Sequence, residues 1–150
     1  MADQTSMTLD LGCLPQLVGY QLRMTQVMVF KDFDRELSGL DITPVIFGVL
    51  EVLSHNKGLT QTRLANAIGL DRSSLVPLLD KLQKRNLVAR EASTTDRRSN
   101  HLFLTSEGGR LLAKADKRVK LHEQRILASL SKVETRQLFK SLMKIGTAVP

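Results

Sequence analysis

Tryptophan is absent from this chain of 150 residues, tyrosine occurs once, and aromatic residues make up only 4%. Surfaces that hold sugars or unpaired bases do so largely by stacking on such rings, so a carbohydrate or stacked-base platform is excluded. The single cysteine, Cys13, excludes an intrachain disulfide framework. No apolar run approaches the ~20 residues that a membrane span requires. The opening "MADQTSMTLD" has neither a basic n-region nor an apolar h-region. These absences lead us to expect a cytoplasmic protein with no membrane partner. Catalytic patterns are missing as well. His55, His101 and His122 are scattered, with no carboxylate or nucleophile at triad spacing. There is no phosphate-cradling G-x-x-x-x-G-K and no H-E-x-x-H or C-x-x-C zinc spacing. We therefore expect no enzyme, no metal site and no cofactor.

What is present is positive charge in one place. The net charge is +7. Residues 55–120 hold 14 Lys/Arg against 6 Asp/Glu, and the rest of the chain holds 8 against 9. A basic centre between neutral flanks fits a polyanion-binding module carried by an interaction element, although a solvated charged face has the same composition.

Hydrophobic periodicity predicts a mainly α fold. Over residues 11–37, Leu14, Val18, Leu22, Val29 and Phe33 recur at helical spacing, with Leu17, Met24 and Met28 widening the stripe beyond what one core would use. Thr43 is a candidate N-cap before Pro44, and Val45, Ile46, Val49, Leu50 and Leu53 describe a central, buried helix. Thr60 caps "QTRLANAI", with Leu64, Ala67 and Ile68 expected inward and Gly69 as C-terminal cap. Asp71 opens "RSSLVPLLDKLQKR", whose Leu75, Leu78, Leu79 and Leu82 lie on one face. "NLVAR" and "HLFL" read as two strands joined by a loop over residues 91–100. Thr105 caps a long helix carrying Leu112, Ala115, Val119, Ile126 and Leu130, with Glu107 in its first turn. Ser131 and Glu134 form a capping box that starts the last helix, with Leu138, Phe139, Leu142 and Ile145 on its apolar side. The expected architecture is a single domain over 1–150. It comprises a winged helix-turn-helix at 55–104 and flanking helices at 11–37 and 105–147 that form a dimerisation domain.

With the leucines of the fourth helix inward, 100° per residue turns Ser73, Pro77, Asp80 and Lys84 outward, flanked by Ser74 and Lys81. Arg72, Ser73 and Ser74 occupy the first turn, the end that a recognition helix inserts into the major groove. Arg can grip guanine with two hydrogen bonds, and Ser can donate or accept at base edges and phosphates. Lys81, Lys84 and Arg85 would lie nearer the DNA backbone. Thr60 and Gln61, opening the preceding helix, complete the candidate contacts on that side. Pro77 forfeits a backbone hydrogen bond. It either kinks the helix, offers its ring to a thymine methyl, or is tolerated in loosely bonded first turns. In the hairpin loop, Arg97 and Arg98 suit a narrow minor groove, where negative potential is concentrated. Asp96 can pair with Arg98, or with Arg90 at the hairpin base, to organise the loop.

The stretch "LTQTRLANAIGLDRSSLVPLLDKLQKRNLVAREASTTDRRSNHLFLTSEGGRLL" resembles the MarR family of bacterial transcriptional regulators. Its most specific piece is Asp96-Arg97-Arg98-Ser99 followed by "LFLTSEGG", similar to the family's D-x-R-S wing and L-T-x-x-G helix start. The helix layout on both sides matches as well. The resemblance implies a winged-helix homodimer on a pseudo-palindromic operator in double-stranded DNA, usually a repressor released by a small ligand. It implies Arg98 as the wing residue entering the minor groove, Asp96 as its organiser, and Arg72 to Ser74 as base readers. Asn86 departs from the glycine common there, but Asn tolerates the left-handed conformation.

The segment "LPQLVGYQLRMTQVMVFKDF" is similar to a subset of the family that controls breakdown of aromatic acids, some of whose members respond to hydroxycinnamoyl-CoA thioesters. An effector that is an aromatic acid or its CoA thioester is thereby implied. Tyr20, Met24, Val27 and Phe30 are candidate pocket residues beside Arg23, which could hold a carboxylate or phosphate; the same residues also suit a dimer core. Two other readings are a redox-sensing repressor working through Cys13 and an effector-independent DNA-binding protein. The neighbours of Cys13 are Leu11, Gly12, Leu14 and Pro15, which predict apolar surroundings and an unreactive thiol.

Overall fold

The computed structural model describes residues 9–92 and 100–148. The wing-tip residues Asp96, Arg97 and Arg98 lie outside that range. After a short 3-10 turn, Leu14–Gln16, the chain forms α1 (Val18–Glu36), α2 (Pro44–His55), β1 (Leu59–Thr60), α3 (Gln61–Ile68) and α4 (Arg72–Lys84). It continues through β2 (Val88–Ala92), β3 (Asn100–Leu104), α5 (Ser106–Ile126) and α6 (Lys132–Ala148). The three strands form one antiparallel sheet in the order β1-β3-β2.

The expected caps form these helix ends. Thr43 Oγ1 accepts from Ile46 N at 3.3 Å, and Thr60 Oγ1 accepts from Arg63 N at 3.4 Å. Ser131 and Glu134 exchange both bonds of a capping box, at 2.8 and 3.3 Å. Both helices of the helix-turn-helix end in a Schellman motif. Leu70 N bonds Ala65 O across left-handed Gly69, and Leu87 N bonds Leu82 O across Asn86, whose φ is 54°. Asn86 thus adopts the conformation that would suit glycine. Asp71 occupies the N-cap of α4 without a side-chain capping bond.

Four expectations need correction. Helix α1 starts at Val18 rather than Leu11, because Leu17 is extended after the Pro15 turn. Ala67 is exposed and Ala65 is buried in its place, while Leu64 and Ile68 face inward as expected, so the buried face of α3 is shifted toward Ala65. Strand β1 was not expected: two residues are too short for any alternation, and their pairing with Leu102 and His101 comes from the distant β3. Cys13 is exposed, not set in apolar surroundings.

The core lies in the centre of the chain. Ile46, Val49, Leu50 and Leu53 of α2 meet Leu64 of α3, Leu75, Leu79 and Leu82 of α4, and Val88 and Leu102 of the sheet. Only Phe33 of α1 is buried, and α6 buries no residue at all. Two arginines tie the end of α1 and the following loop to the rest. Arg118 donates to the carbonyls of Glu36 and Ser38, and Arg85 to those of Leu40 and Asp41.

Gly108 stands where α5 crosses the base of the hairpin. A Cβ there would lie 2.2 Å from the Leu87 carbonyl oxygen and 2.7 Å from Leu104 Cδ1. The same Leu87 oxygen accepts from Thr105 N at 3.1 Å, and Thr105 Oγ1 donates to Asn86 O at 2.6 Å while accepting from Gly108 N at 3.0 Å. A methyl group must push backbone against backbone. Gly108→Ala should therefore cost about 2 kcal/mol of unfolding free energy or more, measured by chemical denaturation.

An ion cluster joins α1 to α5. Arg125 reaches Asp32 at 2.8 Å and Glu36 at 2.9 Å, and Arg35 also pairs with Asp32. The hydrogen bond from Arg125 is the largest influence on the Asp32 carboxyl; desolvation, the next largest, opposes it, and the charges of Arg125 and Arg35 with the Arg35 hydrogen bond leave the carboxyl below its ordinary value. A depressed carboxylate contributes stability above its unfolded value of 3.8, and that contribution is lost as pH falls through the folded value. Arg125→Ala should thus destabilise the protein at neutral pH, with the difference from wild type shrinking below pH 3.8. Parallel denaturation series across pH measure it.

Candidate nucleic-acid interface

Helices α3 and α4 are joined by Gly69 and Leu70, and both are held against α2 by their leucines. That packing decides which side of α4 is free. Leu75, Leu79 and Leu82 are fully buried and Leu78 half-buried, so Ser73, Pro77, Asp80 and Lys84 face outward with Arg72, Ser74 and Lys81 beside them, all exposed. Pro77 sits inside a helix that continues past it, so the absent N–H costs only the bond to the Ser73 carbonyl, on the exposed side. Gln61 and Thr60 are half-buried at the start of α3, and Thr60 is already engaged as a cap.

The hairpin stands beside α4. Val88 is buried at its base, Ala89 and Arg90 are half-buried, and Glu91 and Ala92 are exposed, so the strand leaves the protein as it proceeds. Arg90 is engaged on α4. Its Nη1 bonds Asp80 Oδ1 at 2.6 Å and its Nη2 reaches Val76 O at 3.3 Å. This pairing, missed in the sequence, spans ten residues and two elements; only the outward face of α4, on which Asp80 falls, hinted at it. Arg85 is likewise committed elsewhere, to the loop after α1. Asp96, Arg97 and Arg98 are outside the described residues.

The histidines act structurally. His101 Nδ1 lies 2.7 Å from Gly58 O, His55 contacts its own helix, and His122 is buried with Nε2 3.3 Å from Val29 O. Among the described residues, no three His, Cys, Asp or Glu side chains gather as metal ligands. No described helix is long and apolar enough to cross a membrane.

A cavity of about 450 Å³ opens between the first half of α1, the end of α5, and α6. Val18, Leu22, Val29, Ile126, Leu127, Leu138, Phe139 and Leu142 line it, with Gln16, Gln21, Thr25 and Glu123 as its polar groups. None of the five residues considered for an effector is among them. At 100° per residue, Tyr20, Arg23, Met24, Val27 and Phe30 lie on the other side of α1, Tyr20 half-buried and the rest exposed. The stripe over α1 is wide enough to have two apolar sides, and the sequence does not say which one its own chain covers.

A capped helix pair followed by a two-stranded wing, between long flanking helices, defines a winged helix-turn-helix protein. The family model of the MarR family matches residues 40–99. A protein of Thauera aromatica described as a transcriptional regulatory protein for the hcr operon is 34% identical over 135 residues, which is 89% of this chain and 81% of that one. Two solved structures of the repressor CouR are similar throughout. CouR bound to a 23-mer DNA duplex superposes with a TM-score of 0.87 at 38% identity, covering 93% of this chain and 99% of that one. CouR bound to p-coumaroyl-CoA gives 0.85 at 36%, covering 93% and 98%. The chain belongs to the MarR family, and it is a transcriptional repressor of that type and not an enzyme.

Proposed function

We propose that this repressor acts as a homodimer on a pseudo-palindromic operator in double-stranded DNA, and that an aryl-CoA thioester releases it. The observation that carries the DNA-binding part is the outward face of α4. Serines and cations stand there, next to a projecting hairpin and on the far side of the core. The DNA-bound CouR structure, similar over nearly the whole chain, supports the same use. In this reading Arg72, Ser73 and Ser74 meet base edges, Pro77 offers its ring, and Thr60, Gln61, Lys81 and Lys84 meet phosphates. Arg97 and Arg98 carry the wing contacts, with Asp96 as their organiser.

The dimer is supported by what the chain leaves uncovered. Leu14, Leu17 and Val18 at one end, and Val133, Leu138, Phe139, Leu142, Met143 and Ile145 at the other, are all at least 39% exposed. Contiguous apolar surface of this extent marks an association face. Residues 11–37 and 105–147 thus form the dimerisation region around a DNA-binding region at 55–104. A DNA-bound regulator of this kind works in the cytoplasm.

The effector part draws on the cavity, whose Val18, Leu138, Phe139 and Leu142 also belong to the association face, so that a ligand there would sit against the dimer seam. No lysine or arginine lines the cavity, and Glu123 does. A free carboxylate buried there would meet a like charge with no counter-ion, which is strongly unfavourable. The uncharged aryl-acyl end of a thioester does not incur this cost, and CouR bound to p-coumaroyl-CoA points to the same ligand class. Tyr20, Arg23, Met24, Val27 and Phe30 then belong to the other side of α1, where a partner helix or the ligand's polar end would lie. The redox alternative loses ground to this one because a lone exposed Cys13 has no second cysteine in its chain.

Selection of bound sequences from a random duplex pool at near-physiological salt should recover one inverted repeat, its half-site centres about one helical turn apart. On that duplex, Ser73→Ala should change sequence preference more than salt dependence, whereas Arg98→Ala should weaken binding and reduce the salt slope by about one. Only salt-labile, sequence-indifferent binding would overturn the reading. p-Coumaroyl-CoA should release the duplex at concentrations where p-coumarate does not, as read by fluorescence anisotropy.

A further inference from the structure

We propose that Arg90 is a positioning residue: it locks the wing onto the recognition helix through the Asp80 carboxylate and the Val76 carbonyl, so that helix and wing meet DNA as one body. The inference deepens the DNA-binding reading and rests on it.

The first support is location. Along β2 the side chains pass from buried Val88 through half-buried Ala89 and Arg90 to exposed Glu91 and Ala92. Arg90 is thus the last described residue of that strand that is not exposed. It lies opposite Leu102 of β3, which is fully buried, so a tether at this register holds both strands.

The second support is geometry. One guanidinium spans one turn of α4, with Nη1 2.6 Å from Asp80 Oδ1 and Nη2 3.3 Å from Val76 O. A planar fork with two donors fixes an angle as well as a distance, which a lysine ammonium cannot do. The side chain is 19% exposed and its buried Nε has no hydrogen-bond partner among the described residues, so the group is enclosed against α4.

The third support is charge. Asp80 stands among Ser73, Pro77 and Lys84 on the outward face of α4, where a bare carboxylate would repel phosphates. Arg90 offsets that charge and engages one carboxylate oxygen, Oδ1. This accounts for an acidic residue on a surface otherwise built of serine and cations.

The test compares wild type with Asp80→Asn and Arg90→Lys, each full-length, on the duplex recovered by pool selection. The three roles open to Asp80 give different signs. A purely repulsive carboxylate predicts tighter binding by Asp80→Asn. A base-reading carboxylate predicts altered preference at one position. The lock predicts binding weakened by about tenfold, with sequence preference and salt slope kept, in both variants. A second measurement needs no DNA: amide exchange in β2 and β3 should accelerate in Asp80→Asn, while exchange in α2 and α5 stays as in wild type. Unchanged exchange in the hairpin overturns the lock itself. Accelerated exchange with unchanged, tighter or re-targeted binding overturns its role in DNA recognition. Should wild type show no sequence preference, the functional reading falls, and exchange alone still decides whether Arg90 holds the wing.

Discussion

The Leu87 carbonyl oxygen is the point on which the arrangement of this protein turns. It accepts from Thr105 N and is crossed by Gly108 so closely that no side chain fits between. Leu87 follows the Schellman end of α4, and Thr105 caps α5. One peptide group therefore joins the end of the recognition helix, the first residue of the wing and the start of the longest helix. The direction in which α5 leaves this junction is fixed by backbone contact, which is stiffer than side-chain packing. Any change in the path of α5 must move the base of the wing with it.

Helix α5 carries that constraint to a part of the molecule with a different physical character. The leucine core of the reading head continues into Phe33 of α1, Leu37 just after it, and Leu112 and Ala115 of α5. The first half of α1 and all of α6 have apolar faces and no buried residue. Between these two regimes lie the ions: Arg118 on the carbonyls ending α1, and Arg125 between Asp32 and Glu36. Polar links of this kind hold angles while leaving helices room to shift, whereas the leucine core does not. A partner or ligand seated on the apolar ends would act on the head through α5 and its crossing at Gly108.

The elements legible in the sequence were those whose signals are local. Thr43, Thr60, Thr105 and Ser131 each bond an amide three residues on, and Gly69 and Asn86 take the left-handed conformation their positions demand. The outward face of α4 was equally legible, because four leucines at helical spacing leave one side free. What escaped is non-local. Strand β1 exists only because β3 runs beside it, and Ala65 is buried only because α2 lies on that side of α3. For the same reason Tyr20, Arg23, Met24, Val27 and Phe30 were indistinguishable in periodicity from the residues on the cavity side of α1. The pairing of Arg90 was the subtlest case. Nothing in the sequence singles out Asp80, ten residues away across the hairpin base, as the carboxylate that the fold brings to 2.6 Å from Arg90.

That pairing also changes how the basic centre of the chain should be read. A surplus of cations over residues 55–120 suggests a polyanion surface, yet several of them are spent within the fold. Arg85 and Arg118 cap the end of α1 and its loop, Arg90 neutralises Asp80, and Arg110 and Lys120 pair along α5. Lys81 and Lys84, by contrast, form no ion pair among the described residues and are exposed on α4. Their charge points outward on the face of α4 that also carries Ser73, where Arg90 offsets Asp80. The number of cations in this stretch therefore overstates the charge that the fold leaves exposed. Among the described residues of that centre, Lys57, Arg63, Arg72, Lys81, Lys84, Lys114 and Lys117 are exposed and in no ion pair, and Arg72, Lys81 and Lys84 share α4.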